Sequence, residues 1–209
     1  RQRTQRGTAD AVRLAEEIVG NEPFVVAFGD TIVTSNAHAN LVRRLIATHL
    51  ASGATFTVAC EEVPPEEVYK YGVVRPLGQT DGPDFALAGL VEKPDPAAAP
   101  SNLAIVPRYV FDRSLFDAIR LTLPGKNNEL WLTDAMAILL HQERTARAVR
   151  LAPDERRYDI GNFESYFKAF VDFALRDPQY GYMMRQYLSQ KALELCQRCK
   201  CVERWSDRP

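Results

Sequence analysis

Glu92 and Lys93 stand side by side in Val91-Glu92-Lys93-Pro94, at the end of an apolar run from Phe85 to Val91 that reads as a strand. A carboxylate in that place can accept hydrogen bonds from sugar hydroxyls, and the adjacent ammonium supplies charge for a phosphate. After a short Asp/Pro/Ala loop, Ser101-Asn102-Leu103 adds an amide at the start of the next apolar run. An anion, a cation and an amide at strand ends form a set that could hold a sugar phosphate. The same two charges could form an ordinary surface ion pair closing a strand. On this segment alone both readings stand.

The flanking pattern says which elements must position these groups. Thr8 is placed to cap a helix over 9–19, with Ala11, Val12, Leu14, Ala15, Ile18 and Val19 as its apolar stripe. Residues 24–28 make a short continuous apolar run, the pattern of a buried strand, and Asp30 sits just past its end. A second helix is expected over 37–51, with Leu41, Leu45 and His49 at helical spacing, stopped by Gly53 before a strand over 54–60. Helices alternating with buried strands indicate an α/β layered fold, in which ligands sit beyond the carboxyl ends of strands. Asp30 occupies such a position.

Beyond Pro64 the pattern breaks into shorter pieces: Val73-Val74, a turn-rich loop over 76–84, and strands starting at Phe85 and Leu103. Helices are expected over 114–121 and 132–141, and a strand over 146–151. Gly161 precedes a helix over 163–175 whose Phe163, Tyr166, Phe167, Phe170 and Phe173 are spaced for one face, which reads as core packing. A last helix, over 178–196, carries Tyr180, Met183, Met184, Tyr187 and Leu188, a surface for packing within the chain or against a second copy. The expected organisation is one domain over 1–190 and a tail over 191–209.

The 209 residues suffice for a sizeable core, and 46% hydrophobic with 25% charged residues is the balance of a globular chain. With 26 basic against 27 acidic side chains the net charge is -1, which excludes a global electrostatic pull toward nucleic acid or a membrane surface. No apolar run approaches the roughly 20 residues that cross a bilayer, and the Arg/Gln-rich first residues lack the apolar centre of a secretory signal. A cytoplasmic location is expected. Four cysteines do not make a disulfide scaffold. Cys196, Cys199 and Cys201 would need a fourth donor to hold zinc, and His38, His49 and His141 are all remote in sequence; reduced thiols near a chain end are the expectation.

Several segments, taken in order, carry a resemblance. They are Gly7-Thr8-Ala9-Asp10-Ala11-Val12, Glu22-Pro23-Phe24 leading to Gly29-Asp30, Tyr71-Gly72-Val73-Val74, Val91 to Pro94, and Ala99-Pro100-Ser101-Asn102-Leu103-Ala104-Ile105-Val106. Further on come Arg108-Tyr109-Val110, Pro124-Gly125, Glu129, Leu132-Thr133-Asp134-Ala135, Tyr158-Asp159-Ile160-Gly161, Lys168-Ala169-Phe170-Val171 and Ala174-Leu175-Arg176-Asp177. Over roughly residues 2 to 182 the chain resembles the bacterial UTP-glucose-1-phosphate uridylyltransferases, within the wider sugar-1-phosphate nucleotidyltransferases. That resemblance implies a Rossmann-like layered nucleotidyltransferase fold, with a mixed central sheet flanked by helices. Family members open with a glycine-rich loop, Gly-x-Gly-Thr-Arg followed by Pro and Lys, which wraps the triphosphate. The sequence contains no such loop, so the fold is expected to be N-terminally incomplete.

The implied chemistry is attack by the phosphate oxygen of glucose 1-phosphate on the α-phosphorus of UTP, giving UDP-glucose and pyrophosphate. The nucleophile is already an anion, so catalysis reduces to positioning and charge neutralisation. Mg2+ does the second job with one or two carboxylates. By resemblance those are Asp30 and Asp159, while Lys93 binds the sugar phosphate and Glu92 the glucose hydroxyls. Gly72 would present backbone to the sugar ring, and Gln2 and Gly7 match positions that contact the nucleotide. Asn102 and Thr133-Asp134 match strong motifs, with Asn102 placed to touch ligand or to brace the site. Where relatives often carry Gly-His this chain has Ala9-Asp10, which leaves the base contacts open. UTP and glucose 1-phosphate are the implied partners, and a homo-oligomer is expected.

Three other readings share these residues. A truncated or non-catalytic paralogue that binds a sugar nucleotide would explain the missing loop, and transfer of another base or sugar, such as thymidylyl transfer, uses the same segments. A metal-dependent glycosyltransferase has the same layered fold, but only Gly29-Asp30-Thr31 stands where an Asp-x-Asp pair would be needed.

Overall fold

The computed structural model describes residues 2–35, 40–125, 128–142 and 144–199, with side chains as far as 196. Two compact units divide the chain, Arg1–Arg157 and Tyr158–Pro209. The first opens with two short helices, α1 (Thr8–Arg13) and α2 (Glu16–Val19), followed by the strands β1 (Phe24–Ala27) and β2 (Thr31–Thr34). Next come α3 (Leu41–Ser52), β3 (Phe56–Glu62), a 3-10 turn over Pro65–Lys70, β4 (Gly72–Pro76) and β5 (Asp84–Glu92). A second 3-10 turn, Pro96–Ala98, leads to β6 (Leu103–Phe111), α4 (Ser114–Leu121), α5 (Leu132–His141), β7 (Ala146–Arg150) and β8 (Arg156–Asp159), which begins as the first unit ends.

Six strands form a mixed sheet in the order β1-β6-β3-β7-β5-β4. β3 and β7 are parallel, the pairing that Phe56 opposite Ala146 begins, and the other ladders of this sheet among the described residues are antiparallel. β4 also meets β6, with Val73 opposite Ala104, so β4 pairs with both β5 and β6. Alternation along the strands explains why both faces are covered. Phe56, Val58 and Cys60 of β3 join Leu115, Ile119, Met136 and Leu139 of α4 and α5 in one core. Ala59, Val106, Val110 and Val149 face the other way, onto Leu41 and Leu45 of α3. Asn40 caps α3 by accepting from the Arg43 amide, and Gly53, in the left-handed conformation, ends it.

Several expectations need correction. The helix foreseen over 9–19 is broken at Leu14-Ala15, and its cap position is Gly7, not Thr8. Thr8 Oγ1 instead accepts from the Leu132 amide at 3.1 Å, a contact across 124 residues. β1 is not buried: it lies at the end of the sheet, and its side chains alternate between half-buried and exposed. β2 and β8 were not foreseen; Thr34 donates to the Arg156 carbonyl at the start of β8. The expected helical residues 37–39, with His38, lie outside the described residues, as does Cys201.

The second unit holds α6 (Phe163–Arg176) and α7 (Gly181–Cys199). Asn162 caps α6 by accepting from the Ser165 amide. The aromatic stripe on α6 is not core. Phe163, Phe167 and Phe170 are 79%, 60% and 61% exposed, and Ala169 is the one buried residue of that helix. Two helices alone cannot enclose rings of that size. Tyr158 does find partners in this unit, donating to Asp172 and meeting the Phe173 ring at 5.2 Å. Among the described residues no helix is long and apolar enough to cross a membrane.

Candidate functional site

The β4–β5 hairpin brings Gly72 opposite Glu92. A side chain at Gly72 would put Cβ 3.0 Å from Ile105 Cδ1 and 3.1 Å from Glu92 Oε2, so glycine leaves room for that carboxylate. Glu92 Oε2 accepts from Thr133 Oγ1 at 2.8 Å. Glu92 and Lys93 do not pair with one another among the described ion pairs. The Lys93 ammonium lies over the Trp131 ring, 5.3 Å from its centroid, while its backbone amide donates to the Tyr71 carbonyl. The surface ion pair that these residues could have formed is absent, and each charge is held by a residue at the start of α5.

Trp131 and Thr133 are themselves held by the segment before α1. Leu130 donates to the Arg6 carbonyl at 2.8 Å, and Ala9 donates to the Leu130 carbonyl at 3.0 Å. Gly7 carries φ 98°, and a Cβ there would fall 2.3 Å from the Leu130 carbonyl oxygen, so no other residue fits. Gln2 Nε2 donates to Asp10 Oδ2 at 2.8 Å and to the Gly7 carbonyl at 3.3 Å. Arg13 holds the other oxygen of Asp10 at 2.9 Å. Asp10 is 5% exposed, and the Arg13 and Gln2 hydrogen bonds hold its carboxyl below the usual carboxylate value. The departure at Ala9-Asp10 therefore has a structural role, which is to anchor Gln2.

Asp30 follows β1, exposed and without a hydrogen-bond partner among the described residues. Arg108 secures its loop: Nη1 donates to the carbonyls of Phe28 at 3.1 Å and Pro107 at 2.9 Å, and Nη2 donates to that of Thr31. Burial pushes this guanidinium below its ordinary value, and the charge of Asp30 opposes that shift. Asp30 lines a cleft of about 510 Å³ together with Thr8, Val12, Val26 and Phe28. Magnesium prefers one or two carboxylates, keeps waters and takes phosphate oxygens for the rest of its shell. An unengaged aspartate on an open cleft fits that donor set. Among the described residues no group of three or more His, Cys, Asp or Glu side chains could hold a metal by itself.

Asp159 ends β8, in the second unit, exposed, with Oδ1 accepting from the Gly161 amide at 2.9 Å. It makes its own turn, and its other oxygen has no protein partner among the described residues. Asn102 engages Val63 through its backbone carbonyl, while its side chain makes no protein hydrogen bond among the described residues. Ser101 does the bracing there, donating to the Val74 carbonyl and accepting from the Leu103 amide. Cys196 is an exposed free thiol, and burial pushes the Cys60 thiol up to about 12. Sequence reasoning missed Trp131 and the role of Arg108. Trp131 had no signal beyond its neighbours Leu132-Thr133-Asp134, whereas Arg108 stood within the segment Arg108-Tyr109-Val110 with nothing local to show that it grips the loop of Asp30.

Comparison with known proteins gives these positions a context. The nucleotidyl transferase family profile matches residues 1–175. The UTP-glucose-1-phosphate uridylyltransferase of Streptococcus pneumoniae serotype 4 is 37% identical over 201 residues, which cover 95% of this chain and 66% of that protein. A solved UDP-glucose pyrophosphorylase in complex with UDP-glucose superposes with a TM-score of 0.78 at 33% identity, covering 85% of this chain and 65% of that one. The UDP-glucose pyrophosphorylase of Acinetobacter baumannii gives a TM-score of 0.80 at 31% identity, with 91% and 64% covered. The chain thus spans 64 to 66% of the length of these relatives.

Proposed function

Since the chain belongs to the nucleotidyl transferase family, we propose that it carries the acceptor side of uridylyl transfer from UTP to glucose 1-phosphate. The observation that supports this is the separation of Glu92 from Lys93. Two adjacent opposite charges leave each other unneutralised, one on Thr133 and one on Trp131, beside a glycine that keeps the approach open. Glu92 accepts from glucose hydroxyls with the oxygen that Thr133 leaves unused. Lys93 donates to the phosphate and holds it for in-line attack.

In the reaction a bond forms between that phosphate oxygen and the α-phosphorus of UTP, and the bond from α-phosphorus to the bridging oxygen breaks. Pyrophosphate leaves with the electron pair. No proton has to move, so no side chain serves as general base. Asp30 would hold Mg2+, a reading supported by its exposed carboxylate on an open cleft, and the ion would neutralise charge on the triphosphate. Asp159 is the second carboxylate by sequence resemblance. Gln2 and Gly7 are assigned to the nucleotide, Gln2 through the amide oxygen that Asp10 does not use. The charged substrates are those of the cytoplasm.

The test is pyrophosphate release on mixing the chain with UTP, glucose 1-phosphate and Mg2+. Lys93→Ala is expected to lower kcat/KM for glucose 1-phosphate by about 10- to 150-fold, the range for a charge-assisted hydrogen bond. An unchanged dependence on glucose 1-phosphate removes Lys93 from the site. The chain spans 64 to 66% of the length of its relatives. Binding of UDP-glucose without release of pyrophosphate would leave it a sugar-nucleotide binder, and a panel of nucleotides and sugar phosphates separates uridylyl from thymidylyl transfer. We extend the proposal to a homo-oligomer, supported by the exposed Phe163, Phe167 and Phe170. Sedimentation velocity showing a monomer at high concentration would overturn it.

A further inference from the structure

Lys93 has a backbone that its sequence does not favour. Its φ is 45°, left-handed, although it is neither glycine nor Asn, and it precedes Pro94, before which residues are normally extended. Such strain persists where the surroundings impose it, and it clusters at functional sites. Successive side chains on an extended strand point to opposite faces. The left-handed turn breaks that alternation, and Glu92 and Lys93 both reach the start of α5, at Thr133 and Trp131.

We propose that Trp131 is a positioning residue for the sugar phosphate, its indole face seating the Lys93 ammonium beside Glu92. The inference rests on the reading of Lys93 as the phosphate-binding cation. An ammonium has three N–H donors in a tripod. One directed at the ring leaves two for phosphate oxygens, so the seat and the ligand do not compete. Lys93 is exposed and has no carboxylate partner among the described residues, so without the ring its long stem would sample many rotamers and lose them again on binding. Trp131 is itself half-buried and packed against Gly125, where a Cβ would come 3.3 Å from its Cδ1. That neighbour limits the space in which the ring can turn.

The test uses the full chain with Trp205→Phe, which leaves Trp131 as the only tryptophan of the two. Glucose 1-phosphate, inorganic phosphate and glucose are titrated in turn, by calorimetry for affinity and by Trp131 emission. Trp131→Leu is expected to weaken glucose 1-phosphate by about 2- to 5-fold, the range of an exposed cation–π contact, and Trp131→Phe to restore most of that. Glucose affinity should not change with either. Emission should respond to both phosphates, and Lys93→Met should abolish the response. Trp131→Leu binding like the parent, or adding its full loss on top of Lys93→Met, overturns the positioning role. If Trp131→Leu does not fold, an emission spectrum indifferent to phosphate overturns it instead. Lys93→Met leaving affinity intact overturns the reading of Lys93 itself, and no binding by the parent overturns both.

Discussion

Thr133 Oγ1 donates to Glu92 Oε2 at 2.8 Å, which draws the carboxylate away from the lysine next to it in sequence. A pair that would have neutralised itself is thereby kept as two separate charges. The first turn of α5 sets the geometry of the β5 end.

Thr133→Val removes that hydroxyl at nearly constant volume. Glu92 is then freer to swing onto Lys93, and affinity for glucose 1-phosphate is expected to fall by roughly 5-fold, about 1 kcal/mol. Calorimetric titration of the two proteins checks this. An unchanged affinity would mean that the hydrogen bond does not hold the carboxylate in its binding position.

Asp30→Asn should leave stability where it was, because the side chain is exposed and has no hydrogen-bond partner among the described residues. Binding of Mn2+, followed by its paramagnetic resonance signal, should weaken by at least about 10-fold on loss of the carboxylate charge. Asp159→Asn in the same assay reports on the second carboxylate. Normal Mn2+ affinity in Asp30→Asn takes that residue out of the metal site.

Two glycine substitutions separate close approach from mere flexibility. Gly7→Ala meets the Leu130 carbonyl at 2.3 Å with φ 98°, and is expected to destabilise by more than about 2 kcal/mol. Gly29→Ala has open space and an ordinary φ, and should stay within about 0.5 kcal/mol of the parent. Urea denaturation of both variants decides it, and equal losses would contradict the geometry of the 7–130 contact.

His49 sits in the core of the first unit, 4% exposed, with Nδ1 3.2 Å from Thr57 Oγ1. Burial lowers its pKa from the ordinary imidazole value of about 6.5, with the Asp112 charge opposing. The folded state therefore binds this proton less readily than the unfolded one. Its contribution is fully present above about pH 6.5 and is lost as pH falls from there toward the folded value. Urea melts at pH 7.5 and 5.5 should show a smaller loss for His49→Gln than for the parent. Equal losses would show that His49 does not set this limb.

Part of this was legible beforehand. The spans of α4 and α5 follow from apolar spacing that operates within a few residues, and both helices run as the pattern predicts. Asp30 just past an apolar strand and Gly53 ending a helix are equally local facts. Local signals also misled. Thr8 has the chemistry of a helix cap, yet its hydroxyl serves Leu132, and the α6 aromatics have the spacing of a buried face, yet they are exposed. In each case the partner that decides the outcome, or its absence, lies outside the window in which periodicity is read.

Sequence alone determined the residue types available for chemistry, the α/β alternation that carries them and the family to which they belong. Tertiary structure alone decided that Glu92 and Lys93 do not pair, that Trp131 lies under the ammonium and that Arg108 grips the loop of Asp30. The physical reason is distance along the chain. Which partner each of two neighbouring charges takes depends on groups brought from far along the chain, and hydrogen bonds such as those between residues 6–9 and 130–132 put Thr133 and Trp131 within reach of Glu92 and Lys93.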